Sequence, residues 1–339
     1  MNIVVLFTKS EEVVENYHQD WEGRDTNESA FKIVEVLKEL GHNASYEYVN
    51  LDLFEKLRNK KDEIDLVFNL CDDGFFSDPE LEPHVTAILD ILGIPYTGGD
   101  FFNLAVTQRK SMVKEIMMYH GLPTPKFKLF DNKDQIYNLK FPLIVKPAYE
   151  DASIGIKDES VVYNDEELRK QVEHVIEEYD QSALVEEFID GREFNVGILG
   201  DDEKEVLPVS EITFDGLPDG KPKIVNYDAK WNEDSIDFKE TKRSCPAKID
   251  DELKYKLIKL ALEVGDLFEC IDYFRVDFRV DKNNQPFILE INQNPDISDD
   301  AGLAAMALAK GYSYNELIAK VITSVIQRNK HLKEKQING

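Results

Sequence analysis

The stretch FRVDFRVDKNNQPFILEINQNPD, Phe274 to Asp296, decides how this chain is read. Two apolar-rich runs flank Asn283-Asn284, a pair that tolerates the left-handed backbone of a two-residue turn, so the segment reads as a hairpin. With that turn Asp277 faces Glu290 and Arg275 faces Asn292, and all four share one face because side chains alternate along a strand. The other face would carry Phe274, Val276, Phe278 and Val280 against Phe287, Leu289 and Ile291, and reads as core. Two carboxylates about 5 Å apart repel by roughly 3 kcal/mol at an effective dielectric of about 20. A hard divalent cation held by Asp277, Glu290 and the amide oxygen of Asn292 would remove that repulsion, with Arg275 offsetting part of it. The alternative is a solvated ladder of surface ion pairs, each of which contributes little.

The rest of the chain limits what this face can serve. Its 339 residues are long for one core and predict two or three packed domains. Carboxylates outnumber Lys and Arg 67 to 40, for a net charge of −27, which excludes a general phosphate-backbone surface and hence nucleic acid as a partner. No apolar run reaches membrane-spanning length, and MNIVVLFTKS has neither a basic leader nor a cleavage site, so a cytoplasmic enzyme is expected. Cys71, Cys245 and Cys270 are odd in number and far apart, which suits reduced thiols and gives no zinc spacing.

Residues 1–103 alternate IVVLF, a helix over 28–41, DLVFNL, a helix over LEPHVTAILDILG, and IPYTGG, the pattern of a doubly wound parallel sheet. A helix through VTQRKSMVKEIMMYHG and an extended LPTPKF mark a second unit over 104–190, with strands at FPLIVKPA and ALVEEFI. EFNVGILG opens a third over 191–330, and residues 331–339 read as a charged tail. Residues 212–245 read as a long loop, which more often means a lid than padding. Phosphate chemistry would bring Lys110, Lys146 and Lys230 to the same cleft, with Ser153 and Gly155 in a small-residue loop able to present backbone N–H groups.

Taken in order, QRKSM (108–112), IVKPAYEDASIGI (144–156), LVEEFIDGREFNVGILG (184–200), YDAKW (227–231), CPA (245–247) and RVDF…LEINQNP (275–295) resemble the ATP-grasp ligases, and within them the D-alanine:D-alanine ligase branch. The resemblance runs from about 67 to 318, and the ordered set is far more specific than any one block. It implies an α/β ATP-grasp fold in which an N-terminal parallel sheet precedes two α+β subdomains that clasp ATP. It further implies ATP and two Mg²⁺ ions, with Mn²⁺ as a substitute. Lys110, Lys146 and Lys230 would contact phosphates, and Ser153 and Gly155 would belong to the loop that closes over them. Glu186, Glu187 and Ile189 would line the adenine hinge, Glu193 would hold the ribose, and Asp277, Glu290 and Asn292 would ligate metal. Arg275 would steady the tetrahedral intermediate, with Ser153 and Lys230 beside it in the catalytic set. The partners so implied are a small-molecule carboxylate and an amine, joined through an acyl phosphate, and a homodimer is common among such ligases.

The chain departs from the family at its substrate end. LFTKSEEVVE replaces a glycine-rich segment, leaving Glu11 or Glu12 as the candidate amine contact. Trp231 stands where a loop-anchoring tyrosine is expected, and the acidic NLCDDGFFSDPELEP replaces a His-Gly segment. After Pro295 come Asp296, Ile297, Ser298, Asp299 and Asp300 in place of glycine and hydroxyl residues. Asp296, Ser298 and Asp299 therefore enter as substrate candidates for an amine-rich or carboxylate-masked acceptor. N-capping of the helix AGLAAMALA by Ser298 or Asp299 is the competing structural reading. Three functions stay open: a peptide-like carboxylate–amine ligase, a D-alanine:D-alanine ligase with a divergent pocket, and a nucleotide-binding regulator without chemistry.

Overall fold

The computed structural model describes residues 1–9 and 26–338. Strands β1 (Asn2–Phe7), β2 (Asn43–Tyr48) and β3 (Leu66–Leu70) form a parallel sheet in the order β2-β1-β3. Tyr96 extends it by a parallel bridge to Val67. Helices α1 (Thr26–Glu39), α2 (Leu53–Lys60) and α3 (Glu82–Leu92) provide the crossovers, as the alternating sequence pattern requires.

The helix expected through VTQRKSMVKEIMMYHG is broken. α4 (Phe101–Thr107) ends before Arg109, whose backbone (φ −89°, ψ 81°) is not helical, and α5 (Lys110–Tyr119) starts afresh. The break places Lys110 at the head of α5. A second sheet follows, with β4 (Phe127–Phe130), β5 (Leu143–Pro147), β6 (Val161–Val162) and β7 (Ala183–Glu187) in the antiparallel order β4-β7-β5-β6, backed by α6 (Asp165–Tyr179).

The third sheet runs β11-β10-β8-β12-β13, built from β8 (Arg192–Leu199), β10 (Ser210–Thr213), β11 (Lys242–Ser244), β12 (Tyr273–Val280) and β13 (Pro286–Asn292), with β9 (Glu205–Val206) paired to β8. Residues 212–245 are not an unstructured loop: they hold α7 (Tyr227–Trp231), α8 (Ile236–Glu240) and β11. Helix α9 (Asp251–Leu267) packs beneath β12 and β13.

The hairpin pairs Arg275 with Asn292 and Asp277 with Glu290, as the alternation predicts. Its turn is longer than expected, since Asp281 and Gln285 close it through an N–H···O bond of 3.0 Å and Asn284 takes the positive φ of 57°. A bulge then restores the register: Phe278 pairs with Ile288, leaving Leu289 as the extra residue. Beyond that point the faces exchange. Ile288 is buried in the core with Phe278 and Val280, whereas Leu289, expected there, lines the cleft.

After α10 (Gly302–Lys310) the chain returns to the first sheet. Leu317, Ile318 and Val321 of α11 (Tyr314–Arg328) share a core with Ile33 and Leu37 of α1. Residues of 191–330 thus contribute to two cores, one shared with α1 and one between the third sheet and α9. The tail forms α12 (Lys330–Asn338), and its Leu332 is buried in that same core. No helix among the described residues is long and apolar enough to cross a membrane.

Candidate active site

A cleft of about 600 Å³ lies between the sheets, within the range of small-molecule sites. It is lined by Lys110, Lys146 and Lys230, by Glu186 and Glu193, and by Arg275, Asp277 and Glu290. At its centre the Arg275 fork grips Asp277, Nε to Oδ1 at 2.7 Å and Nη2 to Oδ2 at 2.8 Å. Asn195 donates to Oδ1 of Asp277 at 2.6 Å and Asn292 donates to Oδ2 at 3.2 Å. Asn195, opposite Asp277 on β8, was not a sequence candidate, although alternation along EFNVGILG puts it on the face of Glu193.

Burial pushes the Asp277 carboxyl upward, and the Arg275 charge pulls it back. Burial pushes Glu290 the same way, but Lys110, Lys230 and Arg275 outweigh it and hold that carboxyl at about 2. Among the described residues no three His, Cys, Asp or Glu side chains form a metal cage. The donor set here is instead two carboxylates and one amide, and it fits a hard cation that draws its remaining ligands from phosphate or water. Asn292 would present its oxygen rather than its NH₂ to such an ion, an exchange made by turning the amide over.

Glu186, on β7, is 1% exposed and lies between two ammonium groups, Lys146 at 2.9 Å and Lys114 at 2.8 Å. Burial raises the Glu186 carboxyl, but Lys114 and then Lys146 bring it down to about 2. Lys114, missed in the sequence, donates to Thr124 Oγ1 at 3.1 Å and to the carbonyl of the bulge residue Leu289 at 3.0 Å. Its spacing of four from Lys110, one helical turn, was the available signal. Lys110 itself binds the carbonyl of Glu150 at 2.7 Å and pairs with Asp151. Lys230 lines the cleft, where burial lowers its pKa against the pull of Glu290.

The loop after β5 is tied to the segment around α7. Ser153 Oγ donates to the Val225 carbonyl at 2.8 Å, and Tyr227 N donates to the Ile156 carbonyl at 2.9 Å. Gly155 has φ +73°, and a Cβ there would fall 2.5 Å from Pro147 Cγ, so the turn requires glycine. Trp231 supplies an anchor of its own: its indole Nε1 donates to the Ala152 carbonyl at 3.1 Å. Trp231→Phe keeps the ring and loses this bond, so kcat/KM should fall about five- to tenfold with little change in thermal stability. Unaltered steady-state kinetics would remove Trp231 from loop closure.

Glu187 accepts from Lys140 N at 3.1 Å, and Ile189 offers its carbonyl to Arg279. At the substrate end, Asp72, Asp73, Asp296 and Ser298 line the cleft together with Arg243 of β11, another residue the sequence reading missed. Burial lifts Asp73 to about 6 and pushes Asp72 well above its usual range, Asp73 and Glu82 adding to the latter. Asp299 pairs with Lys32 of α1 and is not among the residues that line the cleft. Neither Ser298 nor Asp299 caps α10, because Ala301 holds that position without a side-chain bond. Ser298 N and Oγ donate to Asp296, the N–H at 2.9 Å, and Ser29 Oγ donates to Ser298 at 3.0 Å. Glu11 and Glu12 lie outside the described residues.

Comparison with known proteins agrees with this architecture. Residues 116–323 match the family model described as D-ala D-ala ligase C-terminus. The D-alanine–D-alanine ligase of Aquifex aeolicus is 32% identical over 296 residues, 86% of this chain and 92% of that one. Uncharacterized protein y4sG of Sinorhizobium fredii is 35% identical over 258 residues, 76% of this chain and 73% of that protein. The crystal structure of the Bacillus anthracis D-alanine–D-alanine ligase complexed with ATP superposes with a TM-score of 0.72 at 23% identity, covering 99% of both chains, a likeness of fold. Sheet order, the shared cleft and these relatives converge: the chain belongs to the D-alanine–D-alanine ligase-like branch of the ATP-grasp family and is an ATP-dependent ligase that forms C–N bonds.

Proposed function

We propose that the protein joins the carboxylate of one amino-acid-like substrate to the amine of a second, and that at least one of the two carries an additional amino group. The observation behind this reading is the acidic part of the cleft lining, where Asp72, Asp73 and Asp296 stand with Arg243. Burial holds the Asp72 and Asp73 carboxyls above the usual carboxylate range, with Asp73 and Glu82 adding to the effect at Asp72, and an ammonium group placed beside them would favour their charged forms. Arg243, which lines the same cleft, would attract one substrate carboxylate, so an amine-rich amino acid suits the site better than a carboxylate-masked acceptor.

Lys110, Lys146 and Lys230 would orient the triphosphate and offset its charge. The donor substrate's carboxylate oxygen attacks the γ-phosphorus, forming an O–P bond as the bond to ADP breaks. The acceptor amine then attacks the acyl carbon; the C–N bond forms, phosphate leaves and the amine gives up a proton. Arg275 would stabilise the tetrahedral oxyanion, and the loop at 149–157 would keep water from the acyl phosphate. Divalent ions held by Asp277, Glu290 and Asn292 would supply charge neutralisation at the transferring phosphoryl group, two Mg²⁺ being the number the family pattern implies.

A narrower reading, ligation of two D-alanines, is favoured by the relative in Aquifex aeolicus that bears that name. Phosphate release measured across D-alanine, D-serine, diamino acids and polyamines, with product masses, separates the two. Diamino substrates should exceed D-alanine alone by at least about tenfold, the worth of one charge-assisted contact. Fastest turnover with D-alanine alone would overturn the amine-rich reading.

A further inference from the structure

Arg279 is a buried cation that the steps above do not use. Arg279 of β12 is 4% exposed, lies on the cleft face two residues beyond Asp277, and pairs across the ladder with Glu193. Its Nη2 is 2.9 Å and its Nε 3.1 Å from Glu193 Oε2. Nη1 donates to the carbonyls of Ile189 at 3.3 Å and Gly191 at 3.4 Å, and Nη2 also donates to the carbonyl of Lys223. The guanidinium carbon stands 5.2 Å from the ring centre of Phe188 and 5.9 Å from that of Phe214.

These contacts join β12 to two other stretches of chain, residues 188–193 and the segment at Lys223. Residues 188–191 link β7 to β8, and so connect the second sheet to the third. Glu193 begins the cleft face of β8, and Lys223 precedes α7 in the segment that meets the loop after β5. The link is pressed against β12 next to Arg279: a Cβ at Gly191 would fall 1.9 Å from the Val280 carbonyl oxygen. A planar fork of five donors can hold a carboxylate and several carbonyls at once, which a lysine cannot.

The geometry points to Arg279 as a positioning residue that fixes Glu193 for the nucleotide's sugar and ties the covering segment at Lys223 to the hinge between the sheets. This rests on the ATP-binding reading of the cleft and on Glu193 as the ribose contact. Losing the fork frees the Glu193 carboxylate to rotate and the hinge to part from the covering segment, so binding and sugar selectivity fall together.

The experiment compares ATP with 2′-deoxy-ATP in wild type, R279M, R279K, E193Q and R279M/E193Q. Wild type should prefer ATP in kcat/KM by about tenfold or more, the worth of a hydrogen bond to a charged group. R279M should raise the KM for ATP about ten- to a hundredfold, change kcat less than about fivefold, and reduce the sugar preference below about twofold. R279K, which keeps one charge without the fork, should fall between the two and carries the test if R279M does not fold. R279M/E193Q should be no worse than R279M alone, because both changes remove one function. A purely structural role predicts equal losses with both nucleotides and additive effects, and that outcome overturns the proposal. If E193Q leaves the sugar preference intact, the ribose assignment of Glu193 fails separately. The cycle in the KM for ATP then decides: non-additivity keeps Arg279 as the positioning residue, and additivity removes it.

Discussion

Asp277→Asn and Glu290→Gln are each expected to reduce ATP-dependent phosphate release by at least about a thousandfold, the scale on which a transition-state charge contact is lost. The two carboxylates sit opposite each other on paired strands, and the cations around Glu290 hold it ionised down to a pH of about 2. Arg275 and two amides offset the charge of Asp277, as Lys110 and Lys230 offset that of Glu290. Glu290→Gln is the cleaner variant, since Asp277→Asn also strips a half-buried guanidinium of its charged partner. Thermal unfolding with and without Mg·ATP provides a readout besides turnover: wild type should gain stability by mass action, and the variants should gain much less. Turnover within tenfold of wild type in both variants would remove these residues from the metal and phosphoryl face.

The central face was legible because it obeys a local rule. Alternation along RVDF and LEIN puts Arg275, Asp277, Glu290 and Asn292 together whatever lies at the turn, provided the register holds. It held because two departures cancel: the turn gains a residue and the bulge at Leu289 absorbs it. Neither is visible in PFILEI, where an apolar run suits either face. Arg279 follows from the same two-residue spacing and could have been found with Asp277. Lys114 reads as an exposed helix charge until the third sheet buries it, and Arg243 lay in a region read as loop. The return of α11 to the first sheet depends on a core shared by residues as far apart in the chain as Ile33 and Leu317, and local patterning does not report it.

Lys114→Met should cost about 3 kcal/mol of folding stability at neutral pH, the low end for breaking a buried ion pair, because Lys146 remains to Glu186. Its pH dependence separates this loss from simple packing. The Glu186 carboxyl is held at about 2 in the folded chain against an ordinary 4.5, so the stability it contributes is fully present above about 4.5 and disappears as pH falls through about 2. The gap between wild type and variant should therefore be widest at neutral pH and narrow across that acid window. Function should follow the charge balance: Glu186 with both lysines leaves one net positive charge for phosphate, and Glu186 with Lys146 alone leaves none. The KM for ATP should rise about tenfold, and K114M/E186Q, which restores the single positive charge, should recover most of it. Chemical denaturation from pH 7 to pH 2 with ATP kinetics in wild type and both variants checks both arms. A stability gap under 1 kcal/mol or one independent of pH, or a double variant no better than K114M, would show that Lys114 fills space without setting the charge that Lys146 presents to the nucleotide.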